Sequence, residues 1–185
     1  GIYAQTNGTG SIDTTVNGSV TSGGTGVANL AYGSGTVTVT NKGDITVAGN
    51  AVYAQSDFGT VTVTGPGTFT GTVNSGIVAS GNTSDVNITN VGAVSGGLDG
   101  ISAKSVTGNV TIATNSTVTG GTGEGISATT KGTGNVSITN AGLASGGTFG
   151  IDASTVDGDI SVTSAGGAKG TTAGMNLIST TVDIT

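Results

Sequence analysis

The chain has 185 residues, of which 37 are glycine, one is proline and none is cysteine or histidine; charged residues make up 8% and the net charge is −6. Without Cys or His there is no disulfide framework, no thiolate nucleophile and no Cys/His metal cage, and the commonest general base is missing. Four lysines and no arginine give no basic footprint for nucleic acid, one proline and no Gly-X-Y period exclude collagen, and 34% apolar residues with few charges are unlike a charge-rich disordered chain.

The chain opens at Gly1 with no charged segment leading into an apolar one, so no signal peptide is read there. No apolar run approaches the roughly 18 residues of a membrane helix. The opening phrase, Gly1-Ile2-Tyr3-Ala4, recurs as Gly100-Ile101-Ser102-Ala103, Gly125-Ile126-Ser127-Ala128 and Gly150-Ile151-Asp152-Ala153, with close relatives at Ala51-Val52-Tyr53-Ala54 and Gly76-Ile77-Val78-Ala79. Leu30 and Met175 fill the same slot more loosely, and the mean spacing of these anchors is about 25 residues.

After each anchor comes an aliphatic pair: Val37/Val39, Val61/Val63, Val86/Ile88, Val110/Ile112, Val136/Ile138, Ile160/Val162 and Val182/Ile184, with Ile12 starting the series without a clean partner. Eight residues past the first member of each pair lies a third apolar position: Val20, Ile45, Phe69, Val94, Val118 and Ala168, with Leu143 at seven and Ala144 at eight in the sixth repeat. Apolar and small polar residues alternate with period two, as in Thr36-Val37-Thr38-Val39-Thr40, which predicts strands buried on one face. The β-branched Val, Ile and Thr suit strands, and no helical stripe of useful length appears. Turns such as Asn41-Lys42-Gly43, Gly65-Pro66-Gly67 and Asn140-Ala141-Gly142 follow the pair, and Gly-Gly corners such as Gly96-Gly97 and Gly120-Gly121 follow the third position.

Three short strands and three corners per repeat of about 25 residues predict an all-β, single-stranded parallel β-helix of seven to eight coils, with residues 1–185 forming one solenoid segment. Hairpins would reverse direction and would not need one phrase repeated in one order. Parallel crossovers are right-handed in about 98% of cases, so a right-handed coil is expected. A coil buries a handful of aliphatic side chains at about 1.5–3 kcal/mol each while ordering each residue costs about 1–2 kcal/mol, so no coil stands alone and stability lies in the stacking. Asn90, Asn115 and Asn140 recur near one corner, where they either stack their amides or simply suit the turn.

Candidate chemistry is thin. The nearest carboxylate cluster is Asp152, Asp157 and Asp159, but Asp159 precedes Ile160 and points outward; Asp85 shares its slot about 14 Å away. Converging acids for a hydrolase or lyase are not found, so no catalytic residue, cofactor site or metal site is assigned. Gly23-Gly24-Thr25-Gly26-Val27-Ala28 lacks the Asp that a calcium-binding nonapeptide requires. Outward slots around the aliphatic pair read Thr36/Thr38, Thr60/Thr62, Asp85/Asn87, Asn109/Thr111, Asn135/Ser137, Asp159/Ser161 and Thr181/Asp183, an ice-binding-like threonine pattern in only two consecutive coils.

The recurring Gly-Ile-x-Ala, the Val-x-Val pair and the Asn-x-Gly turn resemble the β-helical passenger regions of bacterial autotransporters and related secreted adhesins. The resemblance covers nearly the whole chain. It implies a parent with an N-terminal export signal and a C-terminal outer-membrane barrel, hence a secreted or cell-surface location. The expected function is a non-enzymatic stalk or fibre segment of an adhesin or extracellular filament. Its expected partners are flanking coils or identical copies stacked end to end, with host surfaces or glycans as further partners, and no nucleic acid. The alternatives are a carbohydrate-binding or carbohydrate-degrading β-helix module, with Tyr3 and Tyr53 sharing an outward slot two coils apart, and an ice-binding solenoid.

Overall fold

A computed structural model describes residues 1–181 and 184–185. Val182 of the last predicted aliphatic pair and Asp183 of the last outward slot lie outside the described residues. The described chain contains strands and turns and no helix. Its strands, β1–β22 in chain order, form three parallel sheets. Face A comprises β1 (Ile2–Thr6), β4 (Val27–Ala31), β7 (Val52–Ser56), β10 (Ile77–Gly81), β13 (Ile101–Ser105), β16 (Ile126–Thr130), β19 (Phe149–Thr155) and β22 (Ala173–Ser179). Face B comprises β2 (Ile12–Val16), β5 (Val37–Asn41), β8 (Val61–Thr64), β11 (Val86–Val91), β14 (Val110–Thr114), β17 (Val136–Asn140) and β20 (Ile160–Ser164). Face C comprises β3 (Val20–Ser22), β6 (Asp44–Val47), β9 (Thr68–Gly71), β12 (Val94–Gly96), β15 (Val118–Gly120), β18 (Ala144–Ser145) and β21 (Ala168–Lys169). Each strand pairs with its equivalents one coil before and after, so the chain is a β-solenoid with three strands per coil.

The pairing register fixes the columns. On face A, Ile2, Val27, Val52, Ile77, Ile101, Ile126, Ile151 and Met175 lie side by side. Leu30 therefore does not hold the anchor slot: Val27 does, and Leu30 lies between Gln5 and Gln55 on the outer side. The alanine of the repeated phrase makes a second inward column, into which coil two places Asn29, fully buried. Asn29 Nδ2 donates to Thr14 Oγ1 at 2.9 Å. Thr14 occupies the second aliphatic slot of β2, so Ile12 does have a partner, a polar one whose hydroxyl is satisfied across the core. That contact also shows which columns face each other: the small alanines stand opposite the second member of the aliphatic pair, filling the interior with small against large.

On face C, Ala144 and not Leu143 continues the third column, opposite Val118; Leu143 is exposed. At the end of the rod, Ile184 lies opposite Ile160, in the first slot of the aliphatic pair and not the second. The core built from these columns is continuous along the rod, with Phe69 its largest fully buried side chain.

Glycine at one corner answers to crowding more than to backbone conformation. Positive φ occurs at Asn90, Gly65 and Gly167 among the described residues. Gly35, Gly59, Gly108, Gly134 and Gly158 recur where face A turns into face B, and a Cβ on any of them would fall within 2.0–2.2 Å of backbone atoms of the preceding coil.

The same corner carries a buried hydroxyl column. Ser56 Oγ donates to Gly35 O (2.8 Å) and accepts from Gly59 N–H (2.9 Å). Ser105 repeats this with Ser84 O and Gly108 N–H (2.9 and 3.0 Å). Thr130 donates to Thr155 Oγ1 (2.7 Å), which in turn donates to Gly134 O (3.0 Å) and accepts from Gly158 N–H (3.1 Å). Each hydroxyl thus satisfies corner groups that water does not reach.

Coil four inverts the arrangement, with Gly81 at the strand end and Ser84 in the glycine slot, and Ser84 Oγ is buried without a hydrogen-bond partner. Gly81→Ser alone is expected to destabilise, because the new Cβ lies 2.9 Å from the buried Ser84 Oγ as well as 2.6 Å from Ser84 O, and the contact with Oγ goes when residue 84 is glycine. The double exchange Gly81→Ser with Ser84→Gly gives this corner the sequence pattern of coils three and five, and removes an unsatisfied hydroxyl worth about 1–3 kcal/mol. Urea midpoints should therefore fall for the single variant and recover to or above the parent in the double; a double no better than the single refutes the account.

Candidate functional surfaces

The predicted carboxylates do not converge; they are used to tie coils together. Asp85, Asn109, Asn135 and Asp159 form a ladder at the start of face B. Asp85 Oδ1 accepts the Asn109 N–H (2.8 Å), Asn109 Oδ1 the Asn135 N–H (2.9 Å) and Asn135 Oδ1 the Asp159 N–H (2.8 Å). Asp152 lies on the outer side of face A and accepts from Asn176 Nδ2 (2.7 Å). Asp157 lies in the next corner and accepts from Thr181 Oγ1 (3.1 Å). Asp44 accepts from Thr68 Oγ1 (2.7 Å). The Asp152/Asp157/Asp159 cluster of the sequence is thereby divided among one face, a corner and the neighbouring face. Among the described residues no group of three or more acidic side chains is placed to share a cation.

The corner asparagines do not stack either. Asn90 and Asn115 are exposed while Asn140 is buried. A register shift after Thr89 places Val91, not Asn90, opposite Thr114, and Thr114 lies opposite Asn140. Asn140 accepts from Thr114 Oγ1 and donates to Gly142 O. Coil two shows the same use of a buried amide: Asn41 Nδ2 donates to Thr68 O (2.9 Å) and its Oδ1 accepts the Gly43 N–H (3.2 Å).

A second acceptor site recurs between faces C and A. Asn50 Oδ1 accepts the Ser75 N–H (3.1 Å) and Asp99 Oδ1 the Glu124 N–H (3.0 Å). Burial raises the Asp99 carboxyl above the ordinary carboxylate range; the Glu124 N–H opposes the rise, the Glu124 side chain adds to it, and the Lys104 charge opposes it. A folded pKa above the unfolded one means that the folded state binds more protons in the window between them, so stability falls as pH rises through that window. Asp99→Asn keeps the Oδ1 acceptor and removes the charge. It is expected to raise the thermal midpoint at neutral pH and to flatten the gain in stability on acidification, as measured by thermal melts across the acid range.

Face B carries the threonines. Beside the predicted slots the structure adds a second outward column, Thr15, Thr40, Thr64, Thr89, Ala113, Thr139 and Thr163. With Thr38 and Thr62 it makes a hydroxyl grid that Asp13, Asn87 and Ala113 interrupt. An open groove of about 380 Å³ crosses this face beside Asn135, Ser137, Asp159, Ser161 and Thr185.

On the outer side of face A, Tyr3, Ala28 and Tyr53 share one column, and Gln5, Leu30 and Gln55 the next. Tyr3 is 65% exposed and Tyr53 is half-buried. Tyr53 OH donates to Gln55 Oε1 (3.1 Å), Tyr3 OH does the same to Gln5 Oε1, and Gln5 Nε2 donates to Asn7 Oδ1 (3.2 Å). No protein-family model, curated protein or solved structure matches the chain.

Proposed function

We propose that the chain is a structural rod, a stalk or fibre segment of a secreted or surface-bound bacterial adhesin or extracellular filament. The observation that carries this reading is the continuous stacking of three parallel sheets, in which polar side chains at the corners are spent on bonds between coils. Seven steps of about 4.8 Å advance the chain by roughly 34 Å, with one continuous core along that length. The resemblance to passenger repeats supports the extracellular setting. In this reading further coils, or further copies of the chain, extend the same columns.

Sedimentation and small-angle scattering over a range of concentrations test this. The expected result is a particle that grows in length, at constant cross-section, as concentration rises. A compact monomer of unchanged length at every concentration overturns the end-to-end part of the reading.

A further inference from the structure

We infer that the outer side of face A over coils one to three is a binding platform for a neutral, extended, β-linked polysaccharide. The inference does not depend on the stalk reading, since a rod and a free module would carry this platform alike.

The repeat is broken here in a specific way. Elsewhere along face A the outward slots hold small or polar residues, with Val78 and Ile178 as the large apolar exceptions, and neither an aromatic ring nor a glutamine. In coils one to three the same slots hold two tyrosines, two glutamines and a leucine. Two equivalent slots two coils apart carry rings, so their spacing is about 9–10 Å. Ala28, with its single methyl, lies between them in the same column. Two units of an extended β-1,4-linked glycan advance by a similar distance, so alternate sugars meet alternate rings.

The polar groups fit the same ligand. Each tyrosine hydroxyl is tied to the glutamine two residues on, which holds the ring and occupies the amide oxygen. What remains for sugar hydroxyls is the NH₂ group of Gln55 and the second N–H of Gln5, whose first is given to Asn7 Oδ1. Leu30, between the two glutamines, supplies an apolar strip for the C–H face of a sugar ring, as the tyrosines do.

Charge selects among glycans. β1, β4, β7 and β10 carry no charged residue, while the chain as a whole has a net charge of −6. An anionic polysaccharide would be repelled by the rod and would find no side-chain cation on these four strands, the nearest lysine of face A being Lys104 on β13. A neutral one meets neither obstacle.

The chain has no tryptophan and three tyrosines, two of which form the platform, so tyrosine emission reports occupancy directly. The experiment titrates the chain with β-1,4-linked hexasaccharides of glucose and of N-acetylglucosamine, following tyrosine fluorescence and calorimetric heat. Saturable binding is expected, weakened about tenfold or more by Tyr3→Ala and by Tyr53→Ala. Tyr53→Phe should lose less, because the ring stays and only the tie to Gln55 goes. Thr62→Ala on face B should bind as the parent does. Tyr3 is well exposed, so Tyr3→Ala keeps the test valid if Tyr53→Ala perturbs the fold, which a thermal melt will show. Absence of binding to both sugars at millimolar concentration overturns the inference. So does affinity unchanged in Tyr3→Ala, or self-association through this face, seen as a dimer that Tyr3→Ala dissolves. The sedimentation result bears on the rod alone, so either reading can fail without the other.

Discussion

Gly134→Ala is expected to destabilise the chain by about 3–5 kcal/mol, whereas Gly10→Ala, in the same slot of the first coil, should change stability by less than about 1 kcal/mol. The difference is steric. A Cβ on Gly134 would lie 2.1 Å from Gly108 O and 2.6 Å from Gly108 C, while at Gly10 the nearest atom is Thr6 Oγ1 at 3.6 Å. The atoms in the way at Gly134 are main chain, fixed by the sheets on either side, so neither rotamer change nor side-chain movement relieves the clash. Coils five and six would have to separate, and their shared ladders would weaken together. Denaturant melts of the two variants, by circular dichroism, decide the matter; equal losses would show that glycine is there for some reason other than close approach.

Phe69→Ala should cost a comparable amount, about 3–5 kcal/mol, because it removes the one aromatic ring that is fully buried in the rod. Its neighbours in the column are Ile45 and Val94, and these cannot close over the space without leaving their own register. The loss should also be local. In a stack whose coils touch only their neighbours, the cheapest response is to shed the coils on the shorter side of the lesion. Hydrogen exchange should then accelerate in coils one to three of the variant while coils five to seven keep their protection. A uniform loss of protection along the rod would mean that the solenoid folds as one indivisible unit.

The columns could be read in the sequence because each is written twice over, once as alternation within a strand and once as recurrence every coil. Where one of these failed, so did the reading. Val27 was passed over for Leu30 because the expected alanine two places after the anchor is Asn29, whose role as a buried partner of Thr14 has no signature in one sequence. Asn90, Asn115 and Asn140 recur at the right interval, but the irregularity after Thr89 turns the first of them out of line, with φ of 54°. The asparagine ladder that does exist, from Asp85 to Asp159, is visible in the sequence as a shared outward slot, where it reads as separated carboxylates and as interruptions of a threonine pattern. Its use as a row of acceptors for backbone N–H groups depends on side-chain torsions. The hydroxyl column from Ser56 to Thr155 is hidden for the opposite reason: serine and threonine are so common in this chain that four at strand ends stand out only once their partners are seen. Tyr3 and Tyr53 were legible as a pair because the slot is the same, while the glutamines that hold them were not.

The ladders on Asp85, Asn109 and Asn135, and those on Asn50 and Asp99, all run one way: the side chain belongs to the earlier coil and the N–H to the later one. A cut made at any of these junctions would leave acceptors on one new surface and donors on the other. The rod is thus polar along its axis, and two such surfaces are complementary to each other but not to themselves. Growth by this geometry would be head-to-tail, through heterologous contacts. An assembly of these coils would therefore have a direction, with one end chemically distinct from the other.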